Sequence, residues 1–369
     1  MANKKIAWWT PEITGEEAAL IKEVLDANYL NDGDVTTRFE QTVAKLVGAK
    51  HGIAVTSGTS ALFLSLVGVG VGAGDEVIVP DITFIATANA VTMAGAKPVL
   101  VDIDPNTLNA DPAAIKKAIT PKTKAIMPVH VSGRGANMNE ILKIGAAHGI
   151  PVIEDAAEAF MSVATGGSKK FLGTLGKAGC LSFSPNKTIT TGQGGMIFTD
   201  DDQLHVRLRE LKDQGRPVKG TGGDDFHNVV GYNFKFTNLQ AAVGLGQLSR
   251  LTQRVERQRR TYKLYAENLA GVKGLRLPGF EVGIGETPQW VDAVVERRDE
   301  LDKFLIERNV HCRRFWFPIH TQKPYKLSDA QFPVSSRVGP KCIWLPTPFN
   351  ITDAEVLQVC GYIKEFLNA

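Results

Sequence analysis

Short β-branched runs alternating with helix-like segments fill the first two-thirds of this 369-residue chain, and that alternation narrows its fold more than any other feature. The runs fall at residues 52–55 (GIAV), 76–79 (EVIV), 98–103 (PVLVDI), 124–131 (KAIMPVHV), 151–155 (PVIED), 180–184 (CLSFS) and 195–200 (GMIFTD). Most are separated by segments such as SALFLSLVGVG and NMNEILKIGAAHG. This predicts an α/β fold with a three-layer α/β/α large domain around a mainly parallel seven-stranded sheet. Only a glycine-rich turn joins the last two runs, too short for a helical crossover, so one strand is expected to pair antiparallel. Thr14 and Glu17, three residues apart, form a capping-box pattern ahead of the first helix. Beyond about residue 240 the pattern becomes a long helical stretch, then a mixed region ending in DAEVLQVCGYIKEFL. It reads as a smaller C-terminal α+β domain, residues 241–369 after a large domain of 1–240, and a chain of this length has room for both. The segment Gly215 to Asn233, with GTGG inside it, reads as a mobile loop.

Composition removes several classes. Hydrophobic residues at 43% and charged residues at 22% are ordinary globular values, so neither disorder nor a membrane protein is indicated. The net charge of +3 is spread along the chain. Its densest basic cluster, Arg254 to Arg260, contains Glu256 and reads as a solvated helix face, giving no reason to expect a nucleic-acid partner. Cys180, Cys312, Cys342 and Cys360 have neither a zinc-ligand spacing nor a disulfide framework, so no metal is expected and a reducing cytoplasm fits. The N-terminal stretch lacks the apolar run of a signal peptide, and no apolar stretch is long enough to span a bilayer.

Four motifs bear on chemistry. Gly68 to Gly74 (GVGVGAG) imitates a dinucleotide fingerprint, but it follows a helix and precedes a strand, the reverse of the required order, and reads as a helix end and turn. Thr56 to Leu62 (TSGTSAL) follows a strand and opens an apolar helix, so free backbone N–H groups and the positive helix end converge on a spot suited to a phosphate. Gly58 allows close approach there and Thr59 adds a hydroxyl; a plain capped turn is the competing reading. Val152 to Ala159 (VIEDAAEA) ends a buried strand with two acids at the carboxyl edge of the sheet, where ligands of open α/β sheets bind. A carboxylate there needs a partner such as a protonated ring nitrogen, although a salt bridge or cap would also serve. Ser182 to Gly195 (SFSPNKTITTGQGG) sets Lys187 in a turn between a strand and a glycine-rich loop, with Ser182, Thr190 and Thr191 nearby and no acid adjacent. Those surroundings favour a neutral amine, the form that makes a Schiff base with an aldehyde cofactor.

Together with FEQTVAKLVGAKHGIAVTSGTSAL (39–62), VIVPDITFIATANAV (77–91), VDIDPNTLN (101–109) and GYNFKFTNLQAAVGLGQL (231–248), these motifs resemble the DegT/DnrJ-type sugar aminotransferases, a branch of the fold-type I, aspartate aminotransferase-like enzymes. The resemblance runs from about Pro11 to the C-terminal helix. It implies pyridoxal 5'-phosphate (PLP) as cofactor, present as pyridoxamine 5'-phosphate between half-reactions. It implies that Lys187 forms the Schiff base and shuttles the proton, that Asp155 binds the pyridine nitrogen, and that Gly58, Thr59 and Ser182 hold the phosphate. Phe84 would stack on the pyridine face, and Asn233 would reach the phosphate in a neighbouring subunit, making the protein a homodimer with shared sites. The implied reaction is ping-pong transfer of an amino group from L-glutamate to a keto sugar, nucleotide-linked as is usual in the family, for surface polysaccharide or secondary-metabolite amino sugars.

The chain departs from the family pattern at two places. Glu158 stands where the family usually has Gln or His near the cofactor's phenolic oxygen, so a carboxylate there has to be protonated or turned away. The stretch HVSGRGANM (130–138) adds Arg134, whose charge can meet a substrate carboxylate or phosphate or simply be exposed. In FWFPIHTQKPY (315–325), His320 matches a family histidine near the sugar, with a core histidine as the competing reading. A family dehydratase, in which histidine replaces the lysine, is disfavoured by Lys187. Amination of a cyclitol or a non-nucleotide sugar stays open. A non-catalytic regulatory protein on the same fold is disfavoured by Lys187, Asp155 and Ser182 together.

Overall fold

The computed structural model describes residues 4–167, 169–217 and 225–368; the GTGG stretch, residues 220–223, lies outside the described residues. Every expected strand run forms a strand: β1 (His51–Val55), β2 (Glu76–Pro80), β3 (Lys97–Val101), β4 (Thr123–Ile126), β5 (Ile153–Asp155), β6 (Ala178–Ser182) and β7 (Gly195–Thr199). They build two ladders, β1-β7-β6-β5 and β3-β2-β4. The expected uninterrupted seven-stranded ladder is broken between β4 and β5, which meet only through isolated parallel bridges, Ile126 with Val152 and Val129 with Asp155. The sequence supplies the reason. Pro128 and Pro151 lie in the two pairing segments and have no N–H to donate, so they serve only as acceptors, from Asp155 N and Ile126 N respectively. As expected, one strand runs against the others: β7 is antiparallel to both β1 and β6.

The helices before, between and after these strands are α1 (Glu16–Asp26), α2 (Asp34–Val47), α3 (Gly58–Gly68), α4 (Ala86–Met93), α5 (Pro112–Ala118), α6 (Met138–His148), α7 (Asp202–Lys212) and α8 (Asn238–Leu248). Helix α3 is apolar nearly all round and accordingly buried, packed against β6, β7, α4 and α7. Its Gly68–Gly74 exit is a helix end and turn, with Gly70 at φ +84°. Helix α1 starts one residue later than the Thr14 cap predicts: Gly15 is the N-cap, while the Thr14 hydroxyl donates to the Glu17 carboxylate at 2.8 Å.

The long helical stretch after residue 237 is two helices, because α8 stops at Leu248, where the Ser249 hydroxyl turns back to the Gly246 carbonyl. Helix α8 packs against α1 and α2. The second helix, α9 (Leu251–Asn268), joins β8 (Leu275–Arg276), β9 (Val291–Val295), α10 (Arg298–Glu307), β10 (Arg313–Arg314), α11 (Pro333–Val338), β11 (Cys342–Leu345) and α12 (Asp353–Asn368). The strands form an antiparallel sheet in the order β10-β11-β9-β8, with α9, α10 and α12 sharing its apolar core. No helix among the described residues is long and apolar enough to cross a membrane.

Candidate active site

A cleft of about 310 Å³ opens at the carboxyl ends of β1, β2, β4, β5 and β6, strands of the two N-terminal ladders. Its residues follow those ends one by one: Ser57–Thr59 after β1, Thr83 and Phe84 after β2, Val129 after β4, Asp155 at the end of β5 and Ser182 at the end of β6. This is where the topology of an open α/β sheet leaves strand ends and helix starts uncovered. The C-terminal antiparallel sheet closes the far wall with Arg313 of β10, Trp344 of β11 and Trp290 just ahead of β9.

At one end of the cleft, α3 begins at Gly58 beneath a Ser57 cap that accepts from Ser60 N. Gly58 and Thr59 of this first turn line the cleft together with Ser182 and Ser184, where a helix start leaves N–H groups for an anion. Two glycines make this packing possible. A Cβ on Gly58 would sit 2.9 Å from Ser182 Cβ, and one on Gly195 would sit 2.3 Å from Ser57 O. The result is an anion cradle built from hydroxyls and a helix terminus.

Alternation along β5 sends its two acids to different tasks. Glu154 turns inward, accepting from the N–H groups of Gly173, Leu175 and Gly176 and meeting His130 Nε2 at 2.9 Å, so it is structural. Asp155 lines the cleft at 4% exposure, accepting from Thr87 Oγ1 at 2.8 Å and Ala157 N at 3.2 Å. Burial raises its pKa above the ordinary value, the mark of a carboxylate waiting for a cation.

Lys187 sits in a turn opposite Asp155, its N–H bonded to Ser184 O. Gln289 clamps both neighbours: its Oε1 accepts from Thr188 N and Oγ1, and its Nε2 donates to Asn186 O. Trp290 then lies under the lysine, with Nζ 4.7 Å from the ring centroid. The expectation of no acid beside Lys187 is corrected, because the fold brings in Glu158, Oε1 at 3.2 Å from Nζ. Glu158 is neither turned away nor solvated; its other oxygen accepts from Ser132 N, and burial raises its pKa to about 7 despite the lysine.

The structure does not gather every expected residue. Phe84 is 53% exposed on the cleft wall. Asn233 is exposed, bridges to Asp213 and does not line the cleft of its own chain. Arg134 and His320 need correction. Arg134 is 2% exposed and spent inside the protein: Nη2 pairs with Asp292 at 2.7 Å, and Nε and Nη1 donate to the carbonyls of Gly279 and Thr107. His320 is fully buried between Asp81 (Nδ1, 2.6 Å) and Asp329 (Nε2, 3.2 Å), stacked on Phe332, and does not reach the cleft. Both fasten segments of the C-terminal part to the N-terminal ladders. In the basic cluster, Arg254 meets Glu12, and Arg257 and Arg260 share Asp353.

Motif reading missed the aromatic wall. All five tryptophans of the chain form one cluster, Trp8 touching Trp9, Trp290 and Trp344, with Trp316 edge-on to Trp344. Three of them, Trp290, Trp316 and Trp344, line the cleft. A cleft with a buried carboxylate, a clamped lysine across from it, an anion cradle at one end and a flat aromatic wall has the donor set that a planar, phosphorylated aldehyde cofactor requires.

Comparison with known proteins agrees. Residues 11–364 match the model of the DegT/DnrJ/EryC1/StrS aminotransferase family. The chain is 38% identical to the GDP-perosamine synthase of Caulobacter vibrioides, with 98% of each chain covered, and 34% identical to that of Escherichia coli O157:H7, with 98% of this chain and 99% of the other covered. Among solved structures it resembles DesV of S. venezuelae, crystallised with a ketimine intermediate, at TM-score 0.90 and 30% identity over 98% of this chain and all of that one. The chain therefore belongs to the DegT/DnrJ/EryC1/StrS aminotransferase family and is a PLP-dependent aminotransferase.

Proposed function

We propose that the protein moves an amino group from L-glutamate to the keto group of a nucleotide-linked sugar in the cytoplasm, as a homodimer, with Lys187 as the covalent anchor and proton carrier. The observation that carries this reading is the convergence of Lys187, Asp155 and the α3 terminus on one cleft. PLP, when bound, supplies an aldehyde carbon and a cationic ring that draws electrons from the substrate carbon. Lys187 Nζ holds the cofactor and moves the proton to and from that carbon. Asp155 keeps the ring nitrogen protonated, which relieves its own burial. Gly58, Thr59 and Ser182 hold the phosphate, Phe84 covers the exposed ring face, and Asn233, facing away from its own cleft, serves the neighbouring subunit. The relatives named for GDP-perosamine support a GDP-linked sugar, and a 33% identical relative in Bacillus subtilis, named a spore coat polysaccharide biosynthesis protein, supports a role in surface polysaccharide. The test is a panel of GDP-, dTDP- and UDP-linked keto sugars with L-glutamate, scored by 2-oxoglutarate release and the mass of the amino sugar. Amination of a free sugar or cyclitol in preference to all three would overturn the nucleotide-sugar reading.

Glu158 adds a pH dependence. Burial raises its pKa from 4.5 to about 7 in the folded chain, so the folded state holds this proton more tightly than the unfolded state does. Its contribution to stability is full below about pH 4.5 and is lost as pH rises through about 7. In the cofactor-free protein, Glu158→Gln should therefore gain melting temperature relative to the parent between those limits, with no further change above them. A difference that stays constant across the range would contradict the assignment.

A further inference from the structure

Transamination from an amino acid requires a place for a carboxylate one bond from the reacting carbon, and the cleft offers few cations for it. Among its lining residues only Lys187 and Arg313 are cationic, and Lys187 is committed to the cofactor and to Glu158. Arg134, the cation singled out in the sequence, is spent on Asp292. Arg313 lies in β10, directly paired with Trp344 of β11. Strand alternation sends its neighbour Arg314 the other way, to Asp299 at 3.0 Å and Asp302 at 3.8 Å on α10, and leaves Arg313 on the Trp344 side. There its guanidinium stands 4.7 Å from the Trp8 ring and 5.7 Å from that of Trp344, exposed, with no ion pair or hydrogen bond among the described residues. A guanidinium held by its face against an indole keeps its N–H edge free for two parallel bonds, the geometry that suits a carboxylate. Trp290, between this site and Lys187, has a buried indole N–H with no acceptor among the described residues.

We propose that Arg313 binds a carboxylate of the amino donor. The assignment rests on the aminotransferase reading above. A cleft of about 310 Å³ takes the cofactor and the reacting ends of the substrates, which leaves a sugar nucleotide's diphosphate toward the opening. The two half-reactions separate the possibilities. PLP-loaded parent, Arg313→Ala and Arg313→Lys proteins are titrated with L-glutamate while the cofactor's visible band is followed, then with the unreactive dicarboxylate glutarate while tryptophan fluorescence is followed. The reverse half-reaction is titrated with the amino-sugar product.

Loss of a charge-assisted bidentate contact should raise the half-saturating glutamate and the glutarate dissociation constant on the order of 100-fold in Arg313→Ala, less in Arg313→Lys. The concentration dependence for the amino sugar should stay within about twofold, because those contacts are elsewhere. Unchanged glutamate and glutarate titrations in both variants overturn the proposal, as does a loss confined to the amino-sugar side, which would assign Arg313 to the diphosphate. A parent enzyme that converts the amino sugar but ignores glutamate overturns the donor assignment instead. The visible absorbance per subunit reports whether each variant is loaded. If Arg313→Ala does not load, the Arg313→Lys titrations decide, a weakening for the dicarboxylates alone supporting the proposal and an unchanged pair overturning it.

Discussion

Replacing Lys187 by alanine is expected to lower amino transfer by roughly 10²- to 10⁴-fold from the lost proton transfer alone, with loss of the covalent hold added. Purified variant should also give up PLP on gel filtration, where the parent keeps it. The fold should survive. Among the described residues the Lys187 ammonium bonds to Glu158 and lies over the Trp290 ring, and Glu158, already at a pKa of about 7, relieves the missing countercharge by taking a proton. Far-ultraviolet dichroism and a melting curve check that the loss is chemical. A variant that retains cofactor and turns over within tenfold of the parent would remove Lys187 from the mechanism.

The second large effect is expected at Asp155. Asp155→Asn keeps the shape and the Thr87 contact but cannot hold the ring nitrogen's proton. Breaking a buried ion pair by removing one partner costs about 3–5 kcal/mol. At 1.36 kcal/mol per factor of ten, that corresponds to a fall in kcat of roughly 10²- to 10⁴-fold. Cofactor should still attach through Lys187, so the visible band persists while turnover collapses. That combination distinguishes Asp155 from Lys187, whose loss should remove both. An Asp155→Asn enzyme with near-parental kcat would show that the carboxylate does not act on the ring.

How far the sequence alone reached follows from the range of each interaction. The β-strands and the lysine turn were readable because their signals are local: β-branched runs between helix-like segments, Asp155 at a strand end, Lys187 between a strand and a glycine loop. The break between β4 and β5 was present too, in Pro128 and Pro151, but which strands are neighbours is a property of the assembled sheet. Arg134 and His320 were misplaced for a related reason. A lone cation or histidine in a loop carries no sign of what will cover it, and here Asp292, 158 residues away, and Asp81, 239 residues away, take them up. Gln289, which clamps both neighbours of Lys187 from about a hundred residues away, left no local signal. The tryptophans did leave a faint one, because five indoles in an ordinary globular composition are worth placing before they are assigned to the core. Glu158 was recognised as unusual from the motif, but its contact with Lys187 needed the fold.

The measurement closest to the central claim is reduction of the PLP-loaded protein with borohydride, followed by proteolysis and mass mapping of every lysine-containing peptide. Reduction fixes a lysine–cofactor C=N bond as a stable secondary amine. The pyridoxyl mass is expected on Lys187 and on no other lysine, with L-glutamate added beforehand abolishing the label. A label on a different lysine, or none on a protein that carries cofactor and transfers amino groups, would contradict the account.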